Sequence, residues 1–227
     1  MSDQIKVELQ EYMGSDRSIA EAAWTSSTTL EAKELRTDAD VERVVKMLIN
    51  DKHASPIESV VLRFWIRMPI AIDRQHMTHR IASHNGMSGR YRTMPSEFLG
   101  APEDVVDLST FINPEYLEEY NRLCTEANHF YQKVMLSFKM ATKDSLISKE
   151  QYKRLREFYR GVLPQHNMTE RVTVMNLRSF ANYQKLRNSE YAQPEIKDVA
   201  QKMLKAVEEA NICPIALQAL KENNWSI

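Results

Sequence analysis

The stretch Ile57–Met68, IESVVLRFWIRM, is dense in β-branched and aromatic side chains. It reads as a long strand, because such residues pack well on a pleated, half-buried surface. Pro69 follows at once and suits the first turn of a helix, where its missing N–H is not needed. That helix would carry Ile70, Ile72, Gln75, His76 and His79. A strand running straight into a helix is the hinge of the reading. Upstream, Ile5–Tyr12 alternates apolar Ile5, Val7 and Leu9 with polar Lys6, Glu8 and Gln10, the period of a half-buried strand. Met13-Gly14-Ser15-Asp16 supplies a turn and a cap before a helix through Ile19 and Trp24. Thr37-Asp38-Ala39-Asp40 starts another, with Val41, Val44, Val45 and Leu48 at helical spacing.

Downstream, Ser83–Met94 has two glycines and no period, and reads as a loop. Helices are expected over 114–140 and 148–160, a short strand over 171–175, and helices over 177–187 and 194–211, with a last one opened by Cys213-Pro214. Strands come mostly early and helices late. The order predicts an α+β class, a single domain over residues 1–227 with a central, mostly antiparallel sheet flanked by long helices.

Composition narrows the function. The 227 residues carry 30 Lys+Arg against 31 Asp+Glu, so no global charge draws the chain to nucleic acid or an anionic membrane. No apolar run is long enough to span a bilayer, and the start MSDQIKVELQ lacks the profile of a secretory signal. The two cysteines, Cys124 and Cys213, read as structural thiols in a reducing compartment, so the cytoplasm is the expected location. Five glycines, with neither GxGxxG nor GxxxxGK[ST], leave no sequence sign of a Rossmann fold or a P-loop.

The densest polar window is Arg74–Arg92, RQHMTHRIASHNGMSGRYR, with four arginines, three histidines and no carboxylate. That is a local field suited to an anion, and the Gly86-Met87-Ser88-Gly89 turn would let backbone N–H groups approach phosphate oxygens. His76, His79 and His84 invite a metal, but the window holds no carboxylate or cysteine to complete a site and its arginines repel a cation, so no metal is expected. A second cluster, Asn176–Arg187 (NLRSFANYQKLR), would offer amides and a guanidinium from one helix, with Leu177, Phe180 and Leu186 packed inward. Arg160, before Gly161 and Pro164, marks a helix end. Ser88 has no visible base of the Ser-His-Asp kind. A bland alternative for the window is a solvated basic loop, and another is RNA binding with Tyr91 as a stacking platform.

Thr78-His79-Arg80, seven residues, then Ser88 resembles the Arg-His-Arg, seven residues, Ser signature of the flavin-dependent thymidylate synthases. MGSDRSIAEAAWTSS, HASPIE, RGVLP and NLRSFANYQKLRNSEYAQPEI are similar to further blocks of that family, in the same order along most of the chain. The resemblance implies a flavoprotein methyltransferase of dTMP biosynthesis that converts dUMP to dTMP. Methylenetetrahydrofolate would give the carbon, and FAD reduced by NADPH the hydride. It also implies a homotetramer with sites where subunits meet. Carried over by position, Ser55, Thr78, His79, Arg80, Gly86, Asn176 and Asn182 would serve FAD. Gln75, Ser88, Gly89, Arg90, Arg160 and Arg187 would bind dUMP, with Arg187 the catalytic group. Thr78 stands where the family has arginine, and Gly86 where many members have glutamate, so the two losses would offset in charge. The competing reading is a nucleotide-binding homologue that holds dUMP without turnover.

Overall fold

The computed structural model describes residues 3–226. In chain order its elements are β1 (Lys6–Met13), α1 (Asp16–Trp24), α2 (Leu30–Glu34), α3 (Asp38–Asn50), a 3-10 turn (Ser55–Ser59), β2 (Val61–Pro69), α4 (Ile70–His76) and β3 (Ser83–Gly86). There follow α5 (Glu103–Ile112), α6 (Glu115–Lys143), α7 (Lys149–Tyr159), a 3-10 turn (Arg160–Val162), β4 (Met168–Asn176), α8 (Leu177–Arg187), α9 (Pro194–Glu209) and α10 (Pro214–Glu222).

The strands form one antiparallel sheet in the order β1-β2-β4-β3. The fold is therefore α+β, with a central antiparallel sheet and long helices around it. β2 pairs with β4 along its whole length, from Val61 opposite Asn176 to Pro69 opposite Met168. Along β2 the period of two is complete: Leu62, Phe64, Ile66 and Met68 are fully buried, while Arg63 and Arg67 face the other way and pair with Glu11 and Glu97. The buried row meets Ile19, Val45, Ile49, Phe180, Val199, Met203 and Leu220 from α1, α3, α8, α9 and α10. Burying one such side chain is worth about 1.5–3 kcal/mol, so this one-sided core is what holds the sheet against its helices.

Local signals explain most element ends. Ser15, Thr37 and Ser148 each form a capping box with the residue three on. Asp16, at the start of α1, is buried and accepts from the Ile215 and Ala216 backbone N–H groups at the start of α10, which ties the two ends of the core together. Burial raises its carboxyl above the usual range, and the two backbone bonds pull it back.

Several sequence expectations need correction. Residues 57–59 lie in the 3-10 turn, not in the strand, because Pro56 sits at the start of that turn and its ring favours it. Ser83–Gly86 is a strand, not loop: SHNG has weak strand propensity, and its pairing to β4 supplies what the side chains do not. α2 and α5 carry no reading from the sequence. α4 ends at His76, so His79 lies beyond the helix. Leu186 is 52% exposed and does not pack inward as Leu177 and Phe180 do.

α6 and α7 stand on a smaller, separate core. It consists of Met94, Tyr131, Met135 and Leu163, with Met87, Val134, Phe138 and Tyr159 packed on it. Tyr131 is fully buried and its hydroxyl accepts from the Met94 backbone N–H at 3.2 Å. This arm carries Arg160 to the turn at Ser88. No helix among the described residues is long and apolar enough to cross a membrane.

Candidate functional site: a basic cleft at the end of α8

β4 runs directly into α8, and Asn176 is the pivot. Its side-chain oxygen accepts from the Ser179 backbone N–H at 2.8 Å and so caps the helix. From there Arg178, Ser179, Asn182, Lys185 and Leu186 recur on one face. They line a cleft of about 590 Å³ together with Glu58, Thr78, His79, Arg80, Ile81, Met175, Arg187 and Trp225. Thus the structure brings Thr78, His79, Arg80, Asn182 and Arg187 to one cleft. Asn176 is instead engaged in the cap, and exposed Ser55 begins the 3-10 turn whose Glu58 forms part of the rim. Arg178, Lys185 and Trp225 were missed in the sequence. The signal for the first two was present, since 178, 182 and 185 fall at helical spacing on the polar face of α8.

Arg187 is fixed by one segment. Its Nε donates to His79 Nε2 at 3.0 Å, and its Nη2 donates to Thr78 Oγ1 at 2.8 Å and to the Gln75 carbonyl at 3.3 Å. Thr78 therefore acts as an acceptor for Arg187 where an arginine would repel it. The Gln75 side chain reaches Gln193 at the start of α9.

Gly86 has a separate partner. A Cβ there would stand 2.9–3.2 Å from the Arg171 guanidinium. Arg171 and Asp73 are both buried and form a two-pronged pair, with Nη2 donating to Oδ2 at 2.7 Å and Nε to Oδ1. Thr78 and Gly86 thus meet different residues: the charge offset read from the sequence has no direct contact behind it.

The remaining carried-over residues form a second group. Ser88 opens a turn in which its carbonyl accepts from Tyr91 and Arg92 N–H and its Oγ from Arg90 N–H. Gly89 is buried, and a Cβ on it would press on Arg160 Cδ at 3.0 Å and on Met94. Arg90 donates to Glu157 at 2.7 Å. Gly86 is the last residue of β3 and the Met87 N–H donates to the Glu170 carbonyl, so the expected four-residue phosphate turn shrinks to Ser88 and Gly89. None of Ser88, Gly89, Arg90 and Arg160 lines the α8 cleft.

The three histidines have distinct surroundings. His79 lies against the Tyr183 ring, with centroids 4.6 Å apart. Burial, then Arg187 and His84, lower its pKa from 6.5 to about 4, so it is neutral and accepts from Arg187. His76 is fully buried. Burial first, then His84, Arg171, His79 and Arg187, bring its pKa to about 3. A group whose folded pKa lies below its unfolded value costs stability only as pH falls beneath that unfolded value, because the unfolded chain takes up the proton first. Stability at this site is level above about pH 6.5 and declines toward pH 3, by up to about 1.4 kcal/mol per pH unit. The His76→Gln variant is expected to show a shallower loss of unfolding free energy between about pH 6 and about pH 5. Equal losses of unfolding free energy in parent and variant, from urea unfolding at the two pH values, would count against this.

The thiols behave as read from the sequence. Cys124 and Cys213 are free and buried, and burial, with Asp16 close by, raises the Cys213 pKa to about 12, so it stays a protonated thiol.

With this geometry in place, comparisons with known proteins are informative. The family model described as thymidylate synthase complementing protein matches residues 8–215. The flavin-dependent thymidylate synthase of Thermotoga neapolitana is 30% identical over 213 residues, covering 94% of this chain and 89% of that protein. One from Thermus thermophilus is 33% identical over 217 residues, covering 96% and 76%. Among solved structures, a UMP/dUMP methylase, PolB from Streptomyces cacaoi bound with 5-Br UMP, superposes with a TM-score of 0.71 at 25% identity, covering 99% of this chain and 96% of that one. The match over residues 8–215 takes in all four strands but the first two residues of β1, and the whole β4–α8 junction on which the cleft is built. The chain belongs to the flavin-dependent thymidylate synthase family.

Proposed function

We propose that the protein catalyses the reductive methylation of dUMP to dTMP, with methylenetetrahydrofolate as carbon donor and NADPH reducing a bound FAD. The observation that carries this reading is the meeting of Thr78, His79, Arg80, Asn182 and Arg187 in one cleft. Its lining fits a flavin dinucleotide in kind: Arg80 and Lys185 match a pyrophosphate, with Arg178 beside them held by Glu58 at 2.6 Å, while Ile81, Met175, Leu186 and Trp225 offer apolar surface to a planar ring. When bound there, FAD supplies the hydride chemistry that no side chain provides.

The chain's own residues then have definite tasks. Arg187, held on its Nε and Nη2 side, presents the rest of its guanidinium to the pyrimidine edge. There it stabilises the negative charge that develops as N3 loses its proton, and this makes C5 nucleophilic. Neutral His79 keeps Arg187 in place without competing for charge. Ser88, Gly89, Arg90 and Arg160 bind the phosphate of dUMP. Because they lie outside the α8 cleft, a complete site takes this group from a second copy, in keeping with a homotetramer. Ser88 serves as a donor and not as a nucleophile, since its hydroxyl is bonded within its own turn.

Purified protein is expected to show a flavin absorption band that NADPH bleaches without oxygen, and to convert dUMP to dTMP when methylenetetrahydrofolate is added. Protein that takes up excess FAD and binds dUMP but forms no dTMP would replace this reading with that of a non-catalytic nucleotide-binding homologue.

A further inference from the structure

Tyr183, His76, Thr173 and His84, from α8, α4, β4 and β3, form an unbroken polar chain under the cleft. One end fixes every proton in it. His84 Nε2 is 3.2 Å from the His79 carbonyl oxygen, which can only accept, so that nitrogen carries hydrogen. In neutral His84 the other nitrogen, Nδ1, is then an acceptor, and the Thr173 hydroxyl donates to it at 3.1 Å. With that proton committed, Thr173 Oγ1 accepts from His76 Nε2–H at 2.9 Å. His76 Nδ1 is left as an acceptor for the Tyr183 hydroxyl at 3.0 Å. His76, Thr173 and Tyr183 are all fully buried.

The chain closes on His79. The carbonyl of His79 takes the last hydrogen bond, its ring rests on the ring of Tyr183 where the chain began, and its Nε2 accepts from Arg187. All three hydrogen bonds of the Arg187 guanidinium go to residues between Gln75 and His79. We infer that Tyr183, His76, Thr173 and His84 are positioning residues: they set the His79 main chain and ring, and through them the direction in which Arg187 faces the cleft. This rests on the proposed role of Arg187 toward the nucleotide. Its logic is that of a fully satisfied buried network, which specifies one geometry because each donor has one acceptor and a gap leaves two groups stranded.

Thr173 is the link whose loss strands two imidazole nitrogens at once. Thr173→Val keeps the side-chain shape and removes the hydroxyl, whereas Thr173→Ser keeps the hydroxyl. With the valine variant folded and flavin-loaded, kcat for dUMP methylation is expected to fall about tenfold or more with KM for dUMP changed less, and serine to restore it to within about threefold. A valine variant within about twofold of the parent in kcat overturns the inference. Should valine prevent folding, half-buried His84 gives a second pair: His84→Gln retains an N–H for the His79 carbonyl and His84→Leu does not. Equal kcat in those two also overturns it.

A readout independent of turnover is nitrogen NMR of the parent protein at about pH 8, where unperturbed imidazoles are neutral. Hydrogen is expected on Nε2 of His76 and His84 and on Nδ1 of His79, and any other tautomer among the three overturns the inference. If the parent makes no dTMP, the proposed function fails by itself. The positioning role is then judged by the His79 nitrogen signals, which Thr173→Val must shift and which, unmoved, reject it.

Discussion

Arg187→Lys is expected to lower kcat for dUMP methylation by about two to three orders of magnitude while leaving flavin binding and folding in place. A lysine keeps the charge, so only geometry is lost. The guanidinium spends Nε on His79 and Nη2 on Thr78 and the Gln75 carbonyl, and this fork fixes its plane. An ammonium has three donors but no fixed plane, so bonded to the 75–79 segment it does not present an oriented fork to a pyrimidine edge. Arg187→Ala removes the charge as well and should add little further loss, because the first substitution already destroys the alignment. Stopped-flow measurement of flavin reduction by NADPH separates the two halves of the reaction: that step should be nearly unchanged in Arg187→Lys. A lysine variant within about tenfold of the parent in kcat would remove Arg187 from the chemistry.

The second large effect concerns stability. Asp73→Ala is expected to cost about 3–5 kcal/mol, because it leaves the Arg171 guanidinium buried without its carboxylate. For a chain of this size that corresponds to a fall of about 10 °C in Tm. Among the described residues Arg171 has few alternatives: beyond Asp73 its Nη2 reaches the Met77 sulfur, at 2.9 Å, and its flat face lies where a side chain at position 86 would begin. The double variant Asp73→Leu, Arg171→Met should recover most of the loss, since an apolar pair removes both desolvation costs together. Chemical denaturation of the single and double variants checks this. If the double variant is destabilised as much as Asp73→Ala, the apolar pair does not offset the two desolvation costs and the expectation fails.

These two sites also show what the amino-acid sequence discloses and what it hides. β2 and α8 were legible because their burial follows period 2 and period 3.6, and the motif around His79-Arg80 pointed to the family. β3 was not, because Ser83–Gly86 is a strand only through its backbone pairing with Val174–Arg171. The Arg74–Arg92 window read as unbalanced positive charge, yet a balancing carboxylate lies far outside it, Glu157 on Arg90. His76 and His84 invited a ligand, whereas folding turns them toward Tyr183, Thr173 and the His79 carbonyl. The pairings of His76 and His84 with Tyr183 and Thr173 join residues 89 to 107 positions apart, beyond the reach of any local pattern. Asn176 has a structural task that the local pattern did not disclose: its side-chain oxygen accepts from the Ser179 N–H and caps α8.

The borders of the sheet carry a consequence for how copies of the chain meet. β3 closes one border with four residues. β1 forms the other, and its register against β2 slips between Leu9 and Glu11, while Lys6, Glu8 and Glu11 stand along it. A short rim on one side and a kinked, charged rim on the other discourage a foreign strand from continuing the ladder. Under the proposed shared-site arrangement, copies of the chain would recognise one another through side chains, which mutation can tune one at a time, and not through shared main-chain pairing, which would bind any extended peptide.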